Sequence, residues 1–242
     1  YYHLISPIKS FNINRPLTYI LILLFTFFII LISSKTGWIS NILITTLFVI
    51  FSIKRKSFNK INFGFLLAII LSFITIFKIV PSVKSRSNSL INYICHNIFE
   101  TDKKTRSFSS SATRIIAWKC SLELISQKTM FGYGEGLSSV ELNKLYKNKD
   151  YKQLDNKNLN SHNQFLQCFI DHGLIGGCTI IFFTIIMLFK SLKTKDYLYS
   201  LFLILITINF LTESMLETQS GVVFFAVFNT LFFFQWVDKN IS

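Results

Sequence analysis

Six stretches of this chain run for 16 to 20 residues without a charge. Arg15 to Lys35 encloses 19 such residues, Lys35 to Lys54 18, Lys60 to Lys78 17, Asp171 to Lys190 18, Asp196 to Glu213 16 and Glu217 to Asp238 20. Each is long enough to cross a hydrocarbon layer about 30 Å thick when its flanks sit in the interface. In the shortest, Tyr197, Tyr199 and Asn209 suit the interfaces. Hydrocarbon offers backbone N–H and C=O groups no partner, so apolar runs of this length must be helices rather than barrel strands. The expected fold is therefore all-α, a polytopic transmembrane bundle of about six spans. Composition agrees: 51% hydrophobic, 16% aromatic and only 15% charged side chains, with a mean hydropathy of +0.46, exclude a disordered chain and argue against an ordinary soluble domain.

The basic residues set the orientation. Ten of them (Lys9, Arg15, Lys54, Arg55, Lys56, Lys60, Lys190, Lys193, Lys195 and Lys239) fall in short segments on one side of this topology, against Lys35 alone on the other. That bias predicts both termini in the cytoplasm and sends the long segment from Pro81 to Ser161 outside; its 13 Lys and Arg do not count, because long loops cross regardless of charge. The expected division is three transmembrane helices in 1–80, an extracytoplasmic loop with amphipathic helices in 81–161, and three transmembrane helices in 162–242. Tyr1-Tyr2-His3 opens without Met or a signal-peptide pattern, so the chain reads as the C-terminal part of something longer.

Within the loop, Ser111 to Ser126 spaces Ile115, Trp118, Leu122 and Ile125 by three and four, which predicts an amphipathic surface helix capped by Ser111 or Thr113. Ser161 to Ile170 is expected to begin with a capping Ser161 and run into the next span, leaving His162 at a helix N-terminus. Lys144 to Asn160 reads as a polar, solvated connector. Gly132-Tyr133-Gly134-Glu135-Gly136 lacks the rest of a phosphate-loop pattern and reads as a turn ending the surface helix. Cys168 and Cys178 lie in a span, whereas Cys95 and Cys120 face an oxidising compartment, where paired and free thiols are both compatible with the spacing. No His or Cys spacing suggests a metal site, and no cofactor or nucleic acid is expected.

The remaining polar residues collect on the predicted outer face: Lys35, Arg114, His162, Glu213 and Glu217. Arg suits bidentate phosphate recognition and His suits proton transfer near neutrality. Snorkelling for Arg114 and simple capping for His162 are the plainer readings of the same positions.

The ordered motifs narrow the choice. Arg114-Ile-Ile-Ala-Trp118, Phe131-Gly-Tyr-Gly134-Glu-Gly136, His162-Asn163-Gln164-Phe165-Leu166-Gln167 and Gly173-Leu-Ile-Gly176 together resemble the signature of the O-antigen ligase and polymerase family. Ser34-Lys35-Thr36-Gly37 and Leu216-Glu217-Thr218-Gln219-Ser220-Gly221 agree at the flanks, although Lys35 stands where the family has Arg, and Lys128-Thr129-Met130 where a Pro precedes the glycine turn. The resemblance implies a GT-C-like membrane glycosyltransferase of the bacterial inner membrane, with its site on the periplasmic face. It would pass an undecaprenyl-pyrophosphate-linked glycan to a hydroxyl of another glycan, of lipid A core or of a protein, with inversion and without a metal. Arg114, helped by Lys35, would stabilise the departing pyrophosphate, and His162 would be the general base. Asn163 and Gln164 would orient the acceptor or His162, Trp118 would stack on a sugar or anchor its helix, and Glu217 would be the alternative base or a substrate contact. A transporter of small anions is the rival reading, set against by the lack of charge at mid-depth in the first three spans.

Overall fold

The computed structural model describes residues 15–31, 35–54, positions 63, 64, 66, 67, 69–71, 74 and 78, then 110–151, 154 and 159–241. Every regular element among the described residues is a helix, and the chain divides into two compact units, 1–91 and 92–242.

The first unit contains α1 (Arg15–Leu31), α2 (Lys35–Lys54) and the described positions of 63–78, all helical. Helices α1 and α2 pack together and share one buried polar contact, in which the Asn41 amide donates to Thr26 Oγ1 at 3.2 Å. Between apolar helices a polar contact of this kind gives the pairing a direction that dispersion contacts lack.

The second unit holds α3 (Ser110–Gln127), α4 (Ser138–Asn148), α5 (Gln164–Lys193), α6 (Tyr197–Thr212), a 3₁₀ turn at Met215–Glu217, and α7 (Gln219–Ile241). Two helices, Gln164–Lys193 and Gln219–Asp238, are long and apolar enough to cross a membrane; Tyr19–Ile29 and Tyr197–Thr212 are apolar but shorter. The short α6 is the buried one. Tyr199, Phe202, Leu203, Ile206 and Phe210 form a stripe at helical spacing that packs against Ile180, Met187 and Leu188 of α5 and Phe225, Phe232 and Trp236 of α7. Phe202 meets Phe232 edge to face at 5.1 Å, and Phe165 meets Phe210 at 5.9 Å.

Helices α3 and α4 and the first turns of α5 build a platform on this layer. Its core joins Ile116, Ala117, Cys120 and Leu124 of α3 to Leu142 and Tyr146 of α4, with Leu154 and Ile170. The buried face of α3 therefore differs from the one its apolar spacing predicts. Leu122 is exposed, while the small residues Ala117, Cys120 and Ser121 are fully buried and let neighbouring elements approach closely. The expected connector at Lys144–Asn160 is corrected too: Lys144–Asn148 completes α4, Tyr146 is fully buried, and Leu154 folds back into the core. Its Lys and Asn residues mask a Leu142–Tyr146 pair one helical turn apart.

Platform and layer meet at a break in α5. Gly173 takes φ +65°, ψ −155°, a conformation open essentially to glycine alone, and this interrupts the helical hydrogen bonding of the carbonyls before it. The glycine turn supplies the replacements. Tyr133 N–H donates to Ile170 O at 2.7 Å, Gly134 N–H donates to Asp171 O at 2.9 Å, and Leu174 N–H donates to Thr129 O at 2.8 Å. Ile170 and Asp171 are buried, and their carbonyls, left unpaired, would each cost about 1–3 kcal/mol. The approach is so close that a Cβ on Gly173 would lie 2.2 Å from Met130 O, and one on Gly132 2.5 Å from Ile170 O. The two glycine motifs thus form one interlock, which adds a docking role to the turn that the sequence predicts.

Candidate active site

Asn163 caps α5. Its Oδ1 accepts from Phe165 N–H at 3.0 Å and Leu166 N–H at 3.1 Å, so the cap is Asn163 and not the expected Ser161. Its Nδ2 donates to Leu211 O, 3.2 Å away in the last turn of α6. One amide thereby serves the N-terminus of one helix and the C-terminus of the next. Around it, Ser161 Oγ lies 3.2 Å from Ser214 Oγ, and Asn163 N–H donates to Ser214 Oγ at 3.2 Å. Gln164 Oε1 accepts from Leu216 N–H at 2.6 Å, and Gln167 accepts from Ser161 N–H while donating to Ser138 Oγ. Asn163, Gln164 and Gln167 are all buried.

This clamp sets residues 161–163 beside residues 211–214, and so brings His162 to Glu213. His162 Nδ1 lies 3.1 Å from Glu213 Oε2, and the other carboxylate oxygen, Oε1, accepts from Arg114 Nη2 on α3. A single carboxylate therefore bridges the two residues that the sequence assigns to catalysis. His162 is held at every polar backbone group as well. Its N–H donates to Asn160 Oδ1 at 3.1 Å, its carbonyl accepts from Trp118 Nε1 at 3.4 Å, and its φ is +49°. A left-handed conformation costs a residue other than glycine roughly 1–2 kcal/mol, and it aims the ring at Glu213 instead of along the helix. Trp118 sits one turn after Arg114 on the same side of α3, so one reaches His162 and the other reaches its partner Glu213.

Burial alone would push the Glu213 carboxyl up. The hydrogen bond from His162 and the charge of Arg114 outweigh it and hold the group below the usual carboxylate range. Arg114 Nε is buried and has no hydrogen-bond partner among the described residues, so the guanidinium keeps a donor beyond the one given to Glu213.

The other expected site residues take other places in the fold. Glu217, on the 3₁₀ turn, feels Asp171, Glu135 and His172, and partial burial followed by the first two charges raises its pKa. Lys35 opens α2 in the first unit. The polar side-chain atoms of Asn163 and Gln164 are engaged within the protein. Cys120 is buried with a free thiol, and Cys95 lies outside the described residues. Sequence reasoning placed Glu213 on the outer face without a role, offered Ser161 only as a cap and Gln167 only as part of a motif, and missed Ser214 altogether; an isolated Ser gives no periodic signal.

Residues 20–181, about two thirds of the chain, match the O-antigen ligase family. The chain belongs to that family. O-antigen ligases are membrane-integral, in keeping with the apolar α5 and α7. The match takes in Lys35, Arg114, Trp118, the glycine turn, His162 to Gln164 and the Gly173–Gly176 pair, and it ends before Glu213. No curated protein and no solved structure matches the chain.

Proposed function

We propose that this O-antigen ligase family member is a glycosyltransferase that moves a glycan from undecaprenyl pyrophosphate to an acceptor hydroxyl, with inversion and without a metal. The observation that carries the reading is the Glu213 carboxylate shared between His162 and Arg114. With Nδ1 donating to Glu213, the lone pair of His162 is on Nε2, where it can take a proton. The acceptor oxygen attacks the anomeric carbon as its proton passes to Nε2. The bond from that carbon to the pyrophosphate oxygen breaks, and the electron pair leaves with the pyrophosphate. Arg114 meets the negative charge that develops there with the donors Glu213 does not use. Asn163 and Gln164 act as positioning residues through the clamp, and Trp118 anchors His162 through its carbonyl.

In the same reading the six apolar runs are six spans of a GT-C-like bundle, three in 1–80 and three in 162–242. Residues 81–161 and the site then lie on the periplasmic face of the bacterial inner membrane, and the acceptor is another glycan, lipid A core or a protein.

The test is transfer by the purified protein with lipid-linked donor and each acceptor. Transfer is expected to persist in EDTA. His162→Asn should cut turnover by about 10²- to 10⁴-fold with donor binding retained, because a general base contributes to rate more than to affinity. Asn is the appropriate replacement, since it tolerates the left-handed backbone at this position. Arg114→Ala should weaken donor binding. Wild-type turnover in His162→Asn, or loss of transfer in EDTA that a divalent ion restores, would overturn the reading.

A further inference from the structure

The tip of the glycine turn carries an adjacent apolar pair. Phe131 is 77% exposed and Met130 56%. Loop tips in water ordinarily carry small or polar residues, and an exposed Phe-Met pair at such a place calls for an apolar surround.

The depth of this tip is fixed. The carbonyl of Met130 and the N–H of Phe131 lie against Gly173, and Leu174 N–H donates to Thr129 O, so the tip cannot move along α5 without breaking the interlock. Gly173 is also where α5 changes character. Before it Ile170 and Asp171 are buried, while after it Leu174, Ile175 and Phe182 are exposed and apolar. That lower stretch belongs to a helix long and apolar enough to cross a membrane, so the apolar pair continues the same surface at its upper edge. Beside the pair, the Lys128 ammonium lies 4.6 Å from the centre of the Tyr133 ring. A cation and a phenol flanking an apolar tip match the order of headgroups above acyl chains.

We propose that Met130 and Phe131 are embedded in the acyl chains of the bilayer leaflet on the platform side, with Lys128 and Tyr133 at headgroup level. Helix α3 ends at Gln127, three residues before Met130, so this anchor sets the height of α3 and of Arg114 above the membrane. The inference rests on α5 crossing the membrane and not on the transfer reaction.

Depth-dependent fluorescence quenching tests it in the protein reconstituted into phosphatidylcholine vesicles, brominated either close below the glycerol backbone or near the chain ends. Phe131→Trp reports the tip and Phe182→Trp the middle of the span, each after subtracting the emission of the parent's three Trp residues. The emission added at position 131 should be lost mainly with shallow bromines, and that at position 182 mainly with deep ones. Quenching at 182 with none at 131 would overturn the proposal and leave the tip in water or under residues 1–91. Quenching at neither position would show that α5 does not cross the bilayer, and the proposal would fall with that premise.

Discussion

Around α6 the second unit is held by apolar contact, with Phe202, Leu203, Ile206 and Phe210 set among side chains of α5 and α7. Where α5 meets α3, α4 and the end of α6, it is held by backbone groups and buried amides: the Gly132–Gly173 interlock and the Asn163 clamp. The first arrangement asks for volume and the second asks for particular atoms. Apolar packing is tolerant because dispersion has no direction, so residues of similar volume can replace one another. Hydrogen bonds have direction, and a buried group whose partner is removed keeps its desolvation penalty. The Arg114–Glu213–His162 contact sits on the second kind of structure, which is able to hold in register one side chain from α3 and two from the segments flanking α5 and α6.

The contrast breaks most readily at Gly173. A Cβ there collides with the Met130 carbonyl, and φ is +65°, so Gly173→Ala should destabilise the protein by about 3 kcal/mol or more. Ile206→Leu in the apolar layer should cost less than about 1.5 kcal/mol. Thermal unfolding of both variants in detergent checks the pair, and equal losses would erase the distinction.

A smaller effect is expected at Asn163. Removing its three side-chain bonds with Asn163→Ala should cost about 1–2 kcal/mol and lower turnover, since the same side chain sets His162 beside Glu213. Asn163→Asp keeps the acceptors for Phe165 and Leu166 but loses the donor to Leu211. Stability retained alongside lowered turnover in that variant would assign the alignment of the site to the α6 half of the clamp.

The smallest effect concerns pH. The folded state holds the Glu213 carboxyl below its ordinary range, so its contribution to stability is complete above that range and is lost as pH falls through the depressed folded value. With the side chain 44% exposed, solvent screening limits the difference to about 1 kcal/mol or less. The stability advantage of the parent over Glu213→Gln should therefore shrink on acidification and be absent once the carboxyl is protonated, as followed by unfolding across an acid series.

The same contrast governs what could be read from the sequence. Charges bound each apolar run, and the described residues of these runs are largely helical, since hydrophobic length is a local property: Asp196 and Glu213 enclose α6. On the platform the local signal misleads. Helix α3 buries Ala117, Cys120 and Ser121 because of what approaches them, which no spacing of large apolar residues reveals. The cap falls on Asn163 and not Ser161 because Leu211, far along the chain, takes the other end of the amide. Ordered motifs singled out Arg114 and His162 as candidates. Their shared partner was not singled out, because Glu213 lies 99 residues from Arg114 and its position at the end of α6 resembles that of any interfacial carboxylate.

The shared carboxylate is the central claim, and a double-mutant cycle on turnover tests it most directly. Glu213→Gln alone should lower kcat at least about tenfold, equivalent to ~1.4 kcal/mol. In the His162→Asn background the same change should alter kcat by no more than about 0.5 kcal/mol, because the His162 ring is already gone and the amide oxygen of a glutamine can still accept from Arg114. Losses that simply add would mean that Glu213 and His162 act independently, and would contradict the account.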